Sequence, residues 1–203
     1  MAQIIEDIKS KGISSAYMKK PFDYSKEALE SSGYKIISLQ ENVRLRMQEG
    51  AHSDVSTLGN WTREGVIYVP GKGKFLTRNS PIMVNAKEAT ACHRNEKEFY
   101  LTNEQVEQAL EDSVVISVKV VPADRLAECE LTAYAFGEDA KKYGEFLKEA
   151  RIKEMPIWTT DIRDKAFARQ VWFRGLDVGG RSALGGGRGL GYYYMVCGIR
   201  ESA

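Results

Sequence analysis

Residues 172–200 read WFRGLDVGGRSALGGGRGLGYYYMVCGIR and are unlike the rest of the chain. Eight of the 18 glycines fall between positions 174 and 194: Gly175, Gly179, Gly180, Gly185, Gly186, Gly187, Gly189 and Gly191. Lysine stops at Lys165 and asparagine at Asn103. The same 21 positions hold no Lys, Glu, Gln, Met or Trp, five types that make up 50 of the 203 residues. Under uniform usage a stretch of that length would lack all five about two times in a thousand. The residues after the glycines are apolar: Tyr-Met-Val-Cys-Gly-Ile predicts a terminal strand over Tyr192–Arg200, paired inside a small antiparallel sheet with the glycine-rich segment crossing the surface.

Phosphate chemistry is a poor fit to the segment. A phosphate-cradling loop requires G-x-x-x-x-G-K-[ST], and there is no lysine here to reach a phosphate. The dinucleotide pattern G-x-G-x-x-G fails at every register of Gly185–Gly191. An RNA- or nucleotide-binding loop using the glycines and arginines of 179–191 on phosphates is the alternative reading. It has the flavour of the CRISPR RAMP proteins, although the opening residues do not resemble the strand that opens those proteins. A flexible surface loop is the plainest reading of all.

The residue set itself matches one family. Trp172-Phe173-Arg174-Gly175-Leu176, the Gly/Arg/Ser/Asp/Tyr-rich stretch, and Val196-Cys197-Gly198-Ile199-Arg200 together resemble the variable proteins of diversity-generating retroelements. In that family a C-terminal region is rewritten by reverse transcription that mutates template adenines, typically in AAY codons. Randomising the first two bases of AAY never yields Lys, Glu, Gln, Met or Trp, the five types missing here. The family often ends in R-x-R-G-V-R; Met195 and Cys197 stand in place of its arginines, while Gly198 and Arg200 match.

The resemblance implies an α+β, C-type-lectin-like (CLec) fold related to formylglycine-generating enzymes, with small antiparallel sheets, flanking helices and a long irregular variable region at about 172–200. It also implies a non-enzymatic ligand- or receptor-binding protein, displayed on a virus particle or a cell surface, whose partner is a protein or other surface molecule. The ligand-binding, variable positions are then Arg174, Asp177, Gly179, Gly180, Arg181, Ala183, Gly186, Gly187, Arg188, Gly191, Tyr192 and Tyr194, lying together on one exposed surface. Ser182 and Tyr193 belong to the same chemistry.

Such a surface must draw its stability from residues between the variable ones. Trp172, Leu184, Leu190, Val196, Gly198 and Ile199 are the expected scaffold, with Trp172 filling a large core volume. Tyr and Arg are enriched at binding hot spots, and Tyr, Ser and Gly in antibody loops. On a strand, Tyr192 and Tyr194 would share one face and Tyr193 take the other.

No catalytic centre, metal or cofactor is expected. Cys92 and His93 are adjacent and lack further ligands at metal spacing, and salt links account for Glu96 and Glu98 nearby. The Trp-Asn-Asp motif of calcium-dependent sugar binding needs an asparagine that the last hundred residues lack, and Cys197 alone cannot supply the cysteine pair of formylglycine-generating enzymes.

Composition agrees. Lys+Arg 29 against Asp+Glu 28 is not the balance of a protein that coats nucleic acid. There is no apolar run long enough to span a membrane, and the acids in the first twelve residues argue against a Sec signal; a chain that is not displayed would be cytoplasmic. Three widely spaced cysteines do not form a disulfide framework.

Upstream, the chain reads as a single domain over 1–203 with a mostly helical first 60 residues. The expected elements are short helices at 3–9, 26–32 (capped by Ser25, ended by Gly33) and 41–48 (ended by Gly50), and a strand at 35–39. Trp61–Val69 alternates as a strand before a Pro-Gly-Lys-Gly turn. Thr102-Asn103-Glu104-Gln105 is a capping box opening a helix to about Glu111. A strand at 114–121, helices at 138–151 and 161–169, and no repeat complete the reading. Helices and strands interleave without a βαβ rhythm, which favours α+β.

Overall fold

Local chemistry sets several element boundaries in the computed structural model, which describes residues 4–6, 13–176, 182–187 and 189–201. Ser38 accepts from the Glu41 amide while the Glu41 side chain accepts from the Ser38 amide, opening a helix over Leu39–Glu49 that ends at Gly50 with φ +87°. Thr102 and Gln105 make the same reciprocal pair for Asn103–Glu111. The first helix runs Phe22–Ser31 instead of starting at Ser25: Pro21 precedes its first turn, and Ser25 lies buried inside it, donating to the Lys20 carbonyl at 3.2 Å. Gly33, at φ +82°, turns the chain just beyond its end.

In chain order the elements are β1 (Ile5–Glu6), β2 (Ile13–Lys19), α1 (Phe22–Ser31), β3 (Lys35–Ile36), α2 (Leu39–Glu49), α3 (Asp54–Thr57), β4 (Asn60–Val69), β5 (Gly73–Thr77), α4 (Pro81–Val84), α5 (Ala86–Arg94), β6 (Phe99–Tyr100), α6 (Asn103–Glu111), β7 (Ser113–Val115), β8 (Val120–Pro122), α7 (Glu130–Phe136), α8 (Ala140–Glu149), β9 (Glu154–Trp158), β10 (Phe167–Phe173), β11 (Leu184–Gly185) and β12 (Met195–Glu201). These described strands join in one mixed network whose main path is β1-β2-β12-β4-β10-β11-β9-β8. The C-terminal strand β12 is antiparallel to β2 and β3 and parallel to β4, so both ends of the chain are tied into one sheet centre.

Alternation on β4 and β10 divides the core. Val66, Tyr68, Phe167, Val171 and Phe173 face α2, α7 and α8, while Trp61, Ile67, Val69, Ala168 and Trp172 face α1, α5 and α6. Helices therefore cover opposite faces of the central strands, an α+β arrangement.

Several expectations are corrected. Among the described residues of the first 60, helices share the chain with strands: Ile5–Glu6 is a strand where a helix over 3–9 is expected, and Ile13–Lys19 is a seven-residue strand that short side chains (Ser14, Ser15, Ala16) hide from any periodicity search. The apolar run 114–121 is two short strands, because β7 pairs with β5 and β8 with β9. The expected helix at 161–169 is irregular chain running into β10, a strand so central that every residue but Arg169 is buried. The helix at 138–151 is the shorter α8, preceded by a 3₁₀ turn over Gly137–Asp139.

Candidate ligand-binding site

The glycine-rich segment runs from the end of β10 at Phe173 to the start of β12 at Met195, touching the sheet between them only through the short β11 among the described residues, and different devices hold its two ends. At the first end, Arg46 reaches out of α2 wholly buried, bonded to neutral oxygens. Its Nη1 donates to the Arg174 carbonyl at 3.0 Å and to the Tyr143 hydroxyl at 3.2 Å, and its Nη2 to the Phe173 carbonyl at 3.3 Å. Its guanidinium lies 3.7 Å from the Phe173 ring centroid. Burial presses its pKa below the ordinary arginine value. The Tyr143 hydroxyl is 3.3 Å from Ser182 Oγ, and the Arg174 amide donates to the Ala183 carbonyl at 2.8 Å. The two sides of 177–181 are thus drawn together largely through main-chain atoms, which any side chain supplies.

Gly175 and Gly186 complete this end by being small. The Leu176 amide donates to the Ser56 carbonyl at 2.5 Å, so the backbone passes so close to α3 that a Cβ on Gly175 would run into the Thr57 carbonyl. A Cβ on Gly186 would lie 2.8 Å from the Tyr68 hydroxyl and 2.9 Å from Val66 Cγ2. Tyr68, its pKa raised to about 12 by burial, donates to the Gly186 carbonyl at 3.1 Å. Gly187, one residue on, has nothing near its added Cβ. Gly175→Ala and Gly186→Ala should each destabilise by about 2 kcal/mol or more, and Gly187→Ala by less than about 0.5 kcal/mol, in chemical denaturation.

At the other end the anchor is aromatic. Trp172 packs against Trp61 with centroids 5.0 Å apart and against Tyr194 at 4.7 Å, over a position where only glycine (Gly59) leaves room for its indole. Leu190 is fully buried, and its carbonyl accepts from the Phe22 amide at 3.1 Å.

Between this end and α5 lies an open cleft of about 530 Å³, lined by His93, Glu96, Lys97, Arg169, Gly187, Gly189, Tyr192 and Tyr194. His93 Nδ1 accepts from the Leu190 amide at 3.3 Å, which makes the neutral imidazole with its proton on Nε2 the form that fits. Its pKa is lowered to about 4, chiefly by burial and also by Arg169, against the opposing pull of Glu98. A base whose folded pKa lies below its unfolded value contributes stability in full above about pH 6.5, and loses it as pH falls toward 4. Wild-type protein should lose on the order of 2 kcal/mol across that window that His93→Leu does not lose, read from denaturation midpoints at several pH values.

The expected scaffold residues Trp172, Leu184, Leu190, Val196, Gly198 and Ile199 are all buried. Of the expected variable positions, Tyr192 is 63% exposed and Gly187 is exposed, while Arg174, Gly191 and Tyr194 are half-buried. Gly187, Tyr192 and Tyr194 share the cleft, whereas the Arg174 guanidinium stands 5.2 Å from the Trp158 ring. Asp177, Gly179, Gly180, Arg181 and Arg188 lie outside the described residues.

The expected single exposed surface fails at Ala183 and Gly186, which are buried: the main chain there lies against β4, β9 and β10, leaving no room for a larger side chain at 186. Ser182 is fully buried too. The tyrosines precede the strand instead of lying on it. Tyr192 and Tyr194 still pack together, centroids 5.8 Å apart, while Tyr193 turns under Lys20, whose Nζ is 5.1 Å from its ring. No sequence signal marks the wall of the cleft that faces the segment. Cys92 and His93 sit near the end of α5, and Glu98 pairs with Arg169 at 2.8 Å and Arg163 at 3.9 Å, as salt links were expected to explain.

No protein-family model and no curated protein matches the chain. Among solved structures, it is similar to one from Nanoarchaeota described as accommodating massive sequence variation by the C-type lectin fold, with 18% identity, TM-score 0.68, and coverage of 96% of this chain and 100% of that one. The likeness shows the fold: the chain has the C-type lectin architecture. No described helix is long and apolar enough to cross a membrane.

Proposed function

We propose that the protein is a non-enzymatic binder whose C-terminal segment, 174–194, is a diversified recognition surface carried on a constant scaffold. The observation that carries this reading is the division of labour within the segment. Positions that hold it in place are buried and apolar or engaged through main-chain atoms, while Tyr192, Tyr193 and Gly187 face outward and keep to the residue set that adenine-directed mutagenesis of AAY codons can write. The C-type lectin fold of a protein described as accommodating massive sequence variation supports the same reading. Its targets would be proteins or other surface molecules, met from a virus particle or a cell surface.

The alternative, a phosphate-binding Gly/Arg loop, finds less support. The amides of Gly186, Leu190 and Tyr194 already donate within the fold, to Trp158, His93 and Tyr192, and a phosphate cradle needs such amides free. The test is genomic. A neighbouring reverse transcriptase and a near-copy of the 3′ end, differing from it only at adenines, would support diversification; a locus with neither, and a segment invariant among cells, would refute it.

A further inference from the structure

We propose that the cleft between α5 and the residues Gly187, Gly189, Tyr192 and Tyr194 is a carboxylate-binding pocket with a constant floor, built to take an acidic side chain of a protein ligand whatever the variable residues are. This deepens the function proposed above and rests on that reading for its ligand being a protein.

The cleft has two unlike walls. One belongs to the segment: Gly187, Gly189, Tyr192 and Tyr194. The other comes from α5, the turn after it and β10, and contains types outside the adenine-written set, Glu96 and Lys97, beside His93 and Arg169. Arg169 is held rigidly, because β10 is a central strand and its Nη2 donates to Glu98 Oε1 at 2.8 Å. Both side chains are largely withdrawn from water, 17% and 10% exposed.

The floor is also short of acceptors. Among the described residues, Arg169 Nε and His93 Nε2 are buried donors without a hydrogen-bond partner, and both belong to residues that line the cleft. An unsatisfied buried donor is costly; both atoms are closed to solvent in this structure, so a ligand gains them only by drawing the Arg169 and His93 side chains toward the cleft. Glu98 Oε2 is a third unpartnered atom, an acceptor, but Glu98 is not part of the cleft lining.

Charge selects among acceptors. Glu98 pairs with Arg169, but Arg163 stands 3.9 Å from the same carboxylate and shares it, so among the described residues Lys97, Arg163 and Arg169 face Glu96 and Glu98. His93 is neutral, so it donates a hydrogen bond without adding charge. An arginine in a fixed pose, a lysine at the rim and two tyrosines opposite favour an anionic, planar group of carboxylate size. Tyrosine faces then cover the chain that bears it.

The test is an NMR titration of the whole protein with N-acetyl-aspartate N-methylamide, and with the asparagine analogue as control. The acidic probe should shift the amides of residues 93–97 and 187–194, bind at least several-fold more tightly than the control, and weaken about tenfold in Arg169→Gln. Lys97→Gln, at an exposed position that leaves the core untouched, should weaken it less but in the same direction. Equal shifts with both probes, shifts spread over the surface, no shifts, or unchanged binding in both variants would each overturn the pocket.

A library varied at Gly187, Tyr192 and Tyr193, selected on protein targets, separates this from the broader reading. Binders indifferent to Arg169→Gln would sink the constant pocket alone. A library without binders, in a protein that still takes the acidic probe, would sink the diversified surface alone.

Discussion

Trp172→Ala should lower the unfolding free energy by about 3–5 kcal/mol, a fall in melting temperature of about 10 °C for a chain of this length. The indole is 6% exposed and lies between Trp61, Tyr194 and the bare backbone of Gly59. Deleting it leaves a cavity that the flanking ladders with β4 and β11 prevent from closing. It also removes the surface on which Tyr194 rests, so the outward side of the glycine-rich segment should lose order together with the core. Tyr192→Ala and Tyr193→Ala, at 63% and 66% exposed positions, should each change stability by about 0.5 kcal/mol or less. Thermal unfolding of the three single variants checks the contrast.

Arg46→Ala should cost a comparable 3–5 kcal/mol, roughly, by a different route. The substitution leaves the carbonyls of Phe173 and Arg174 and the Tyr143 hydroxyl without their donor, inside a core where water does not replace it. It also empties the volume stacked on the Phe173 ring. Arg46→Met should recover only the packing part of the loss, and Arg46→Lys should not restore a planar group that serves two successive carbonyls while lying on an aromatic face. Hydrogen exchange at the Arg174 amide, which bonds the Ala183 carbonyl, should accelerate in Arg46→Met more than exchange in β12 does. Equal acceleration at both places would mean that Arg46 supports the fold at large and does not position the segment.

Local signals in the sequence are sufficient where the physics is local. The capping box at Thr102, the turn after Val69, and the apolar residues spaced through 172–199 need only their neighbours to be read; the box at Ser38 has the same spacing but lies inside the strand expected at 35–39, which hides it. Strand β2 is hidden because serine and alanine can fill a tight sheet centre without any hydrophobic alternation.

The site is harder to read for two physical reasons. Glycine and alanine suit an open loop and a spot with no room equally well, so Gly187 and Gly186 look alike in sequence and differ completely in space. The wall of the cleft opposite the segment comes from Arg169, five positions before it, and from residues 93–97, roughly 80 positions before it, brought together by a tertiary packing that no motif records. Arg46 gives no sign either, since a helical arginine is ordinarily a surface residue.

The central claim is that the outward positions of 174–194 vary without cost to the fold. It is tested most directly by thermal unfolding of a set of variants substituted together at Arg174, Gly187 and Tyr192, measured beside Trp172→Ala. The account predicts that most of the set melts within about 3 °C of the parent, while Trp172→Ala falls by about three times as much. Loop variants that unfold the protein while Trp172→Ala leaves it intact would contradict the assignment of scaffold and variable surface, and the proposed function with it.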